Sequence, residues 1–158
     1  MTSSFPSGIQ LDIGCGQSKQ PGFVGMDLRP LPGVDIVHDF EVFPWPLADA
    51  SVLRAVASHV VEHVNPHKFR FVKWMDEAWR VLVPGGQLAI VTPHGNSFGY
   101  IQDPTHCNPC NEATWAYFAP EHPSGLYQIY QPKPWKIDAL FWSPAANMEV
   151  LLRKIADV

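Results

Sequence analysis

The 158-residue sequence predicts an α/β layer fold that ends in an antiparallel hairpin. Three observations lead there. Five short apolar runs, each bounded by glycine, proline or acidic residues, read as strands over Gly8–Ile13, Phe23–Met26, Val34–Val37, Val52–Ala57 and Gln87–Thr92. A single long helical period lies between the fourth and fifth of them. Two further strand-like runs, Trp135–Trp142 and Met148–Lys154, are joined by the turn Ser143–Asn147. Strands with one helix before the fifth, then a hairpin, stack as layers around a common core.

The helix is expected over Pro66–Leu82. Asn65 suits its N-cap and Pro66 its first position, where a missing N–H costs nothing. Phe71, Val72, Met75, Ala78, Trp79 and Leu82 recur at helical spacing, and Pro84-Gly85-Gly86 is the expected stop. A shorter helix is expected over Glu112–Phe118, opened by Asn111. The first strands carry a tension. Nine residues separate Ile13 from Phe23 and seven separate Met26 from Val34. Parallel neighbours normally need a helical crossover of a dozen residues or more. A parallel sheet built on these gaps leaves one face thinly covered, and that face would require a lid or a partner subunit.

Composition narrows the function. Eleven basic against fifteen acidic side chains give a net charge of −4 and an isoelectric point near 5.9, without the basic footprint of bulk nucleic-acid binding. No apolar run approaches the roughly 18 residues of a membrane span. The opening MTSSFPSGIQ has neither the charged nor the apolar region of a signal peptide. Three cysteines argue against a disulfide framework and for a reducing compartment. The expectation is one cytoplasmic domain over residues 1–158. A loop-rich insert at about 93–134 is marked by prolines at 104, 109, 120, 123, 132 and 134.

Two constellations carry chemistry. Leu11-Asp12-Ile13-Gly14-Cys15-Gly16 ends the first strand in Gly-x-Gly, which lets backbone turn tightly beside a ligand that a Cβ would block. Gly25-Met26-Asp27 then puts an acid at the end of the second strand, able to accept two hydrogen bonds from a ribose diol. Read alone, the pair is equally a strand turn with a surface aspartate. The dinucleotide pattern G-x-G-x-x-G fails because Lys19 stands at the third glycine, which disfavours NAD. The second constellation is Asp103-Pro-Thr-His-Cys-Asn-Pro-Cys-Asn111, after the fifth strand. Histidine is the side-chain type suited to general-base work at neutral pH, which singles out His106, and Asp103 is the candidate to orient it or to hold the substrate. The alternative is that Asp103 caps a turn and His106 packs. Cys107 and Cys110 form a Cys-x-x-Cys half-site to which His106, His94 or His122 would have to converge; with no second close pair, loop thiols are the simpler reading and no metal is assigned. Trp115, Tyr117, Phe118, Tyr127, Tyr130, Trp135 and Trp142 supply either sheet-covering core or an aromatic pocket.

LDIGCG, PGFVGMD, DIVHDF, PWPLADASV, SHVVEHV and WRVLVPGGQLAIVTP, in this order and spacing, resemble the class I S-adenosylmethionine (SAM)-dependent methyltransferases over about Ile9 to Pro93. The likeness is nearest to a compact subgroup in which P-G-F follows the glycine loop at once and the usual first helix is missing. It implies a Rossmann-like, mostly parallel sheet with a C-terminal antiparallel hairpin and few helices between the first strands. By the same resemblance, Gly14, Cys15 and Gly16 wrap the methionine end of SAM, and Asp12 helps hold its amino group. Asp27 binds the ribose hydroxyls with Leu28 beside it, Asp39 accepts from the adenine amine, and Phe40 lies against the ring. Ser58 and His59 face the sulfonium and the nucleophile, and Glu62-His63 match an E-H pair that is more often structural. The missing helix removes a helix N-terminus from the methionine carboxylate; Gln17, Ser18 and Lys19 are the candidates to replace it, Lys19 as a point charge.

The implied activity is methyl transfer from SAM, with S-adenosylhomocysteine (SAH) as product, to an unidentified small molecule, sugar-containing product or protein side chain. His106, Asp103 and His59 are the catalytic candidates. The competing reading is a non-catalytic SAM-binding or assembly protein on the same fold, and a third is a small zinc-stapled interaction module. A DNA methyltransferase does not fit, because Ser58-His-Val-Val stands where D/N-P-P-Y/F is required. Thin sheet covering adds the expectation of a homo-oligomer, most simply a two-fold dimer.

Overall fold

The computed structural model describes residues 8–157. Most of the MTSSFPSGIQ segment read for a targeting signal therefore lies outside the described residues. Seven strands form one sheet: β1 (Ile9–Ile13), β2 (Val24–Asp27), β3 (Ile36–Val37), β4 (Val52–Ser58), β5 (Leu82–Pro93), β6 (Trp135–Trp142) and β7 (Asn147–Lys154). Their order is β3-β2-β1-β4-β5-β7-β6. The first five pair in parallel, and β7 runs antiparallel between β5 and β6. This is the mixed Rossmann-like sheet that the sequence predicts.

The expected helix is shorter at both ends. Helix α1 spans Arg70–Val81. Asn65 Oδ1 does accept a backbone hydrogen bond, but from His67 N at 2.9 Å, an Asx turn leading into a separate 3-10 turn, His67–Phe69, whose N-cap is Pro66. Lys68 and Phe69 then adopt left-handed φ of 54° and 59°, which no continuous right-handed helix tolerates. At the other end Leu82 is already extended (φ −71°, ψ 143°), and the chain enters β5 directly. Pro84-Gly85-Gly86 is not the helix stop; it forms an irregularity inside β5, opposite the register shift between Val52 and Arg54. Gly85 has φ +75° there, and a Cβ on Gly86 would meet Val83 O at 2.8 Å. The second expected helix is seen as α3 (Glu112–Ala116), closed by a reciprocal Asn111–Thr114 capping box. Two helices were not expected, α2 (Phe98–Ile101) and α4 (Tyr127–Tyr130). At four residues each, neither repeats long enough to show a period.

Among the described residues no helix joins β1 to β2, β2 to β3 or β3 to β4. The sheet is correspondingly one-sided. Leu11, Ala55, Leu88 and Leu152 form one cross-strand row, and Ile13, Ala57, Ile90 and Val150 another. Both rows are buried in the core with Phe71, Trp74, Met75, Ala78 and Val81 of α1 and with Trp45, Trp115 and Trp135. The loop carrying Trp45 is anchored to α1: Trp45 N donates to Glu77 Oε1 at 2.6 Å, and Arg80 bonds Glu77 and the carbonyls of Leu47 and Trp45. The opposite face is not the apolar blank that the short gaps suggested. Its first row is Gln10, Arg54, Gln87 and Arg153. The Arg54 guanidinium lies 5.0 Å from the Phe23 ring, and Asp138 accepts from both Gln87 and Arg153. Val56, Ala89, Leu151 and Ala139 present a half-buried apolar strip beside that row, and Val91 and the exposed Phe141 lie one row further along. On the core face, at the C-terminal end of β7, Lys154 is buried. Its ammonium donates to Leu82 O at 2.7 Å over the Trp79 ring at 3.8 Å, and burial lowers its pKa. No helix of the described residues is long and apolar enough to cross a membrane.

Candidate active site

The carboxyl ends of four adjacent parallel strands lie side by side, and the crevice outside such strand ends is the groove in which open α/β sheets take ligands. In spatial order it runs from Asp39 past β3, through Asp27-Leu28 past β2 and Gly14–Gly16 past β1, to Ser58-His59 at the end of β4. The order reverses between β1 and β4, the topological switch point at which open α/β sheets take their ligands. The glycine loop is tied down by backbone. Gly14 N and Cys15 N both donate to Met26 O, at 2.7 and 3.2 Å, and Gly16 N donates to Asp27 Oδ2 at 2.8 Å. Gly14 has φ +64°, and a Cβ there would sit 2.6 Å from Val60 Cγ2. This glycine is thus required by conformation and by the closeness of the β4 end. A Cβ on Gly16 would meet nothing nearer than Arg29 Nη2 at 3.7 Å, so the loop's outer side is open for a ligand.

Asp27 is buried, and its second oxygen accepts from Arg29 N at 2.9 Å. Burial alone would raise its pKa, but the N–H groups of Arg29 and Gly16 carry it below the usual carboxylate value. Its carboxylate is charged and oriented before any ligand arrives. Asp12 accepts from Gln20 N at 2.8 Å; here burial dominates and the pKa is raised. Burial, followed by the charges of Asp12 and Asp27, likewise raises the Cys15 thiol, which makes it a packing group beside the loop. Leu28 is 59% exposed, an apolar side chain held at the groove with nothing over it. Asp39 Oδ1 accepts from Glu41 N, and Phe40 packs against the core edge. Lys19 does not stand free as a point charge: its ammonium pairs with Asp35 at 2.7 Å.

Beyond the β4 end lies a cavity of about 370 Å³. His59, Glu62, His63, Asp103, Gln102 and His106 line it, with Pro93, Gly99, Ala145 and Asn147. His59 and His106, both candidate bases, therefore share one pocket with Asp103 although 46 residues of chain separate the two histidines. His59 takes left-handed φ of 56°, and its Nδ1 lies 3.1 Å from Glu62 Oε1. The hydrogen bond to Glu62 raises its pKa. His106 Nδ1 lies 2.8 Å from Tyr100 O; a carbonyl only accepts, so Nδ1 carries the proton and Nε2 keeps its lone pair. Asp103 Oδ2 is 3.7 Å from that Nε2. The Thr105 hydroxyl donates to Asp103 at 2.7 Å, and this bond with that of Thr105 N keeps the Asp103 pKa low.

Glu62 is the residue whose weight the sequence understates. It is wholly buried, takes hydrogen bonds from His59 and from Thr92 Oγ1, and its main-chain oxygen accepts from Cys107 N and Asn108 N. It thereby joins the end of β4 to the 103–111 loop. The Cys-x-x-Cys half-site does not assemble. Cys110 is buried in the apolar core, where desolvation pushes its thiol up to about 12, and Cys107 is exposed. The aromatic segment divides: Trp115, Phe118, Tyr127 and Trp135 are buried, whereas Tyr130 and Trp142 are half-exposed.

No protein-family model matches the sequence, and no curated protein does. Solved structures do match in fold. A SAM-dependent methyltransferase from Archaeoglobus fulgidus superposes with a TM-score of 0.67 at 17% identity, covering 94% of this chain and 86% of that one. A SAM-dependent methyltransferase from Methanosarcina mazei gives 0.61 at 16%, covering 97% and 95%. A possible exported protein from Bordetella parapertussis gives 0.61 at 14%, covering 96% of this chain; the chain spans 63% of that protein's length. The architecture is the class I methyltransferase fold. At these identities the likeness speaks for the fold alone.

Proposed function

We propose that the chain is a SAM-dependent methyltransferase whose acceptor enters the cavity between His59 and Asp103. The observation that carries this is the groove itself: a glycine loop pinned to a charged, pre-oriented Asp27, at the switch point of a sheet with the methyltransferase strand order. The residues fit the cofactor. Gly14–Gly16 give backbone approach, Asp27 accepts from a ribose diol, Leu28 offers an apolar surface to a base, and Asp39 lies one strand further out. Asp12 reaches the groove through Gln20. SAM supplies an already activated methyl group, so the protein's task is positioning, and a near-attack arrangement is worth ~7–11 kcal/mol. The acceptor's lone pair forms the new bond to the methyl carbon as the C–S bond breaks, leaving SAH. When the acceptor carries a proton, an imidazole Nε2 of His59 or His106 receives it, a contribution of about 10²–10⁴-fold. The net charge of −4 suits a small molecule, a sugar-containing product or a protein side chain as acceptor better than a nucleic acid.

Calorimetric titration with SAM and with SAH tests this reading. Binding of both, lost in Asp27→Ala, supports it. A folded protein that binds neither overturns it and leaves an assembly role on the same fold. Binding of both with no methyl transfer to any acceptor in a metabolite mixture favours a non-catalytic SAM-binding protein.

A further inference from the structure

We propose that Glu62, His63 and His106 form a binding site for a divalent transition-metal ion of the zinc type, facing the acceptor cavity. Among the described residues this is the one group of three or more His, Cys, Asp or Glu whose ligand atoms converge, all lying within 4.8 Å of one another. It joins two neighbours in sequence to a histidine 43 residues further along the chain.

The hydrogen bonds around the cluster prepare it for a cation. In metal sites a ligating imidazole donates its other N–H to a carboxylate, carbonyl or similar acceptor, which fixes ring and tautomer. Both histidines here are held in that way. His106 Nδ1–H donates to Tyr100 O. The Thr105 hydroxyl gives its proton to Asp103, so at 3.2 Å from His63 Nδ1 it accepts from that ring. Nε2 is thereby the nitrogen that each ring has available for a metal, and the two rings meet edge to face at 4.7 Å. Glu62 completes the set as a wholly buried carboxylate whose side-chain partners are a half-exposed histidine and one hydroxyl, slight compensation for a buried charge. A cation beside it supplies the rest.

The donor set selects the metal. Two imidazole nitrogens and a carboxylate favour zinc and its first-row neighbours over magnesium or calcium, which prefer all-oxygen shells. Bonds of ~2.0–2.1 Å at tetrahedral angles bring ligand atoms to roughly 3.4 Å of one another, so the three groups, within 4.8 Å as they stand, would draw together on binding. Three protein ligands leave a fourth position open to the cavity for water or an oxygen-bearing ligand. His106 then acts as a ligand, and His59, hydrogen-bonded to Glu62, is the imidazole of the pocket outside the ligand set.

The site needs nothing in the cofactor groove, so it is tested by metal alone. Tag-free, metal-stripped protein is titrated with Zn²⁺ by calorimetry and with Co²⁺ by visible absorption, and circular dichroism monitors the fold. One equivalent of Zn²⁺ is expected, with intense tetrahedral Co²⁺ bands. His63→Gln and His106→Gln should each weaken binding by more than the roughly 10–100-fold typical of losing an outer-shell partner, and Thr105→Val, at an exposed position, by about that range. SAH affinity should be retained in all three, which separates failure of this site from failure of the groove. No stoichiometric Zn²⁺, affinity within twofold of the parent in all three variants, or loss only in Cys107→Ser would overturn the proposal.

Discussion

The groove at the ends of β1–β3 and the cavity beyond β4 are built by different means. Main-chain atoms shape the groove: Gly14, Cys15 and Gly16 donate backbone N–H groups to Met26 O and Asp27, and no helix supports them. Side chains shape the cavity: three imidazoles and two carboxylates, oriented by Thr92, Thr105 and a carbonyl. The difference teaches where each is vulnerable. A groove made of backbone fails when a Cβ is added, whereas a cavity made of side chains fails when one is removed.

The largest effect should come from Gly14→Val. The left-handed conformation costs a side chain roughly 1–2 kcal/mol, and the 2.6 Å approach to Val60 adds an overpacking penalty of about 1–3 kcal/mol. Thermal unfolding should show the loss, and titration should show no SAH binding. Asp27→Ala comes next. Removal of charged hydrogen bonds to a ribose should weaken SAH by ~1.5–3 kcal/mol, with a smaller change in melting temperature. Unchanged affinity would mean the ribose lies elsewhere.

Asp27 also gives a pH signature. Its folded pKa lies below the unfolded value near 3.8, so its stabilisation is present above that value and fades as pH falls through the lowered one. In Asp27→Asn the acid limb of the stability curve should flatten, as read from urea midpoints between about pH 2 and 5. Lys19→Ala should change SAH affinity by no more than ~0.2–1 kcal/mol, the range of an exposed ion pair, because its charge is satisfied by Asp35. The smallest expected effect sharpens the contrast most. His106→Gln should leave SAH affinity within about 0.5 kcal/mol of the parent, while abolishing whatever the cavity binds.

Legibility in the sequence follows the same division. The glycine loop, Asp27 and the strand segments are local patterns, and the structure has them at those positions. The α1 boundaries were less legible because Asn65 forms an Asx turn as readily as a helix cap, and nothing in His67-Lys68-Phe69 announces two left-handed residues. The short inter-strand gaps were read correctly as helix-free, yet the face they expose is dressed with Gln10, Arg54, Gln87 and Arg153, a row that appears only once the cross-strand register is known. The cavity was half-legible. Asp103, His106 and His59 stand out by chemistry, but the convergence of Glu62 and His63 on His106 spans more than 40 residues. The burial that gives Glu62 its importance belongs to the fold and to no motif.

The brevity of β3 has a consequence for motion. Two residues at a sheet edge, Ile36 and Val37, pair only with Met26 and Asp27. Such an edge opens at far lower free energy than the β1-β4-β5 centre, so its amides should exchange with deuterated solvent early while those of Leu11, Ala55 and Leu88 stay protected. Anything bound from Asp27 to Asp39 bridges that edge to the centre. Slowing of exchange over residues 34–42 would then be the most sensitive report that the groove is filled.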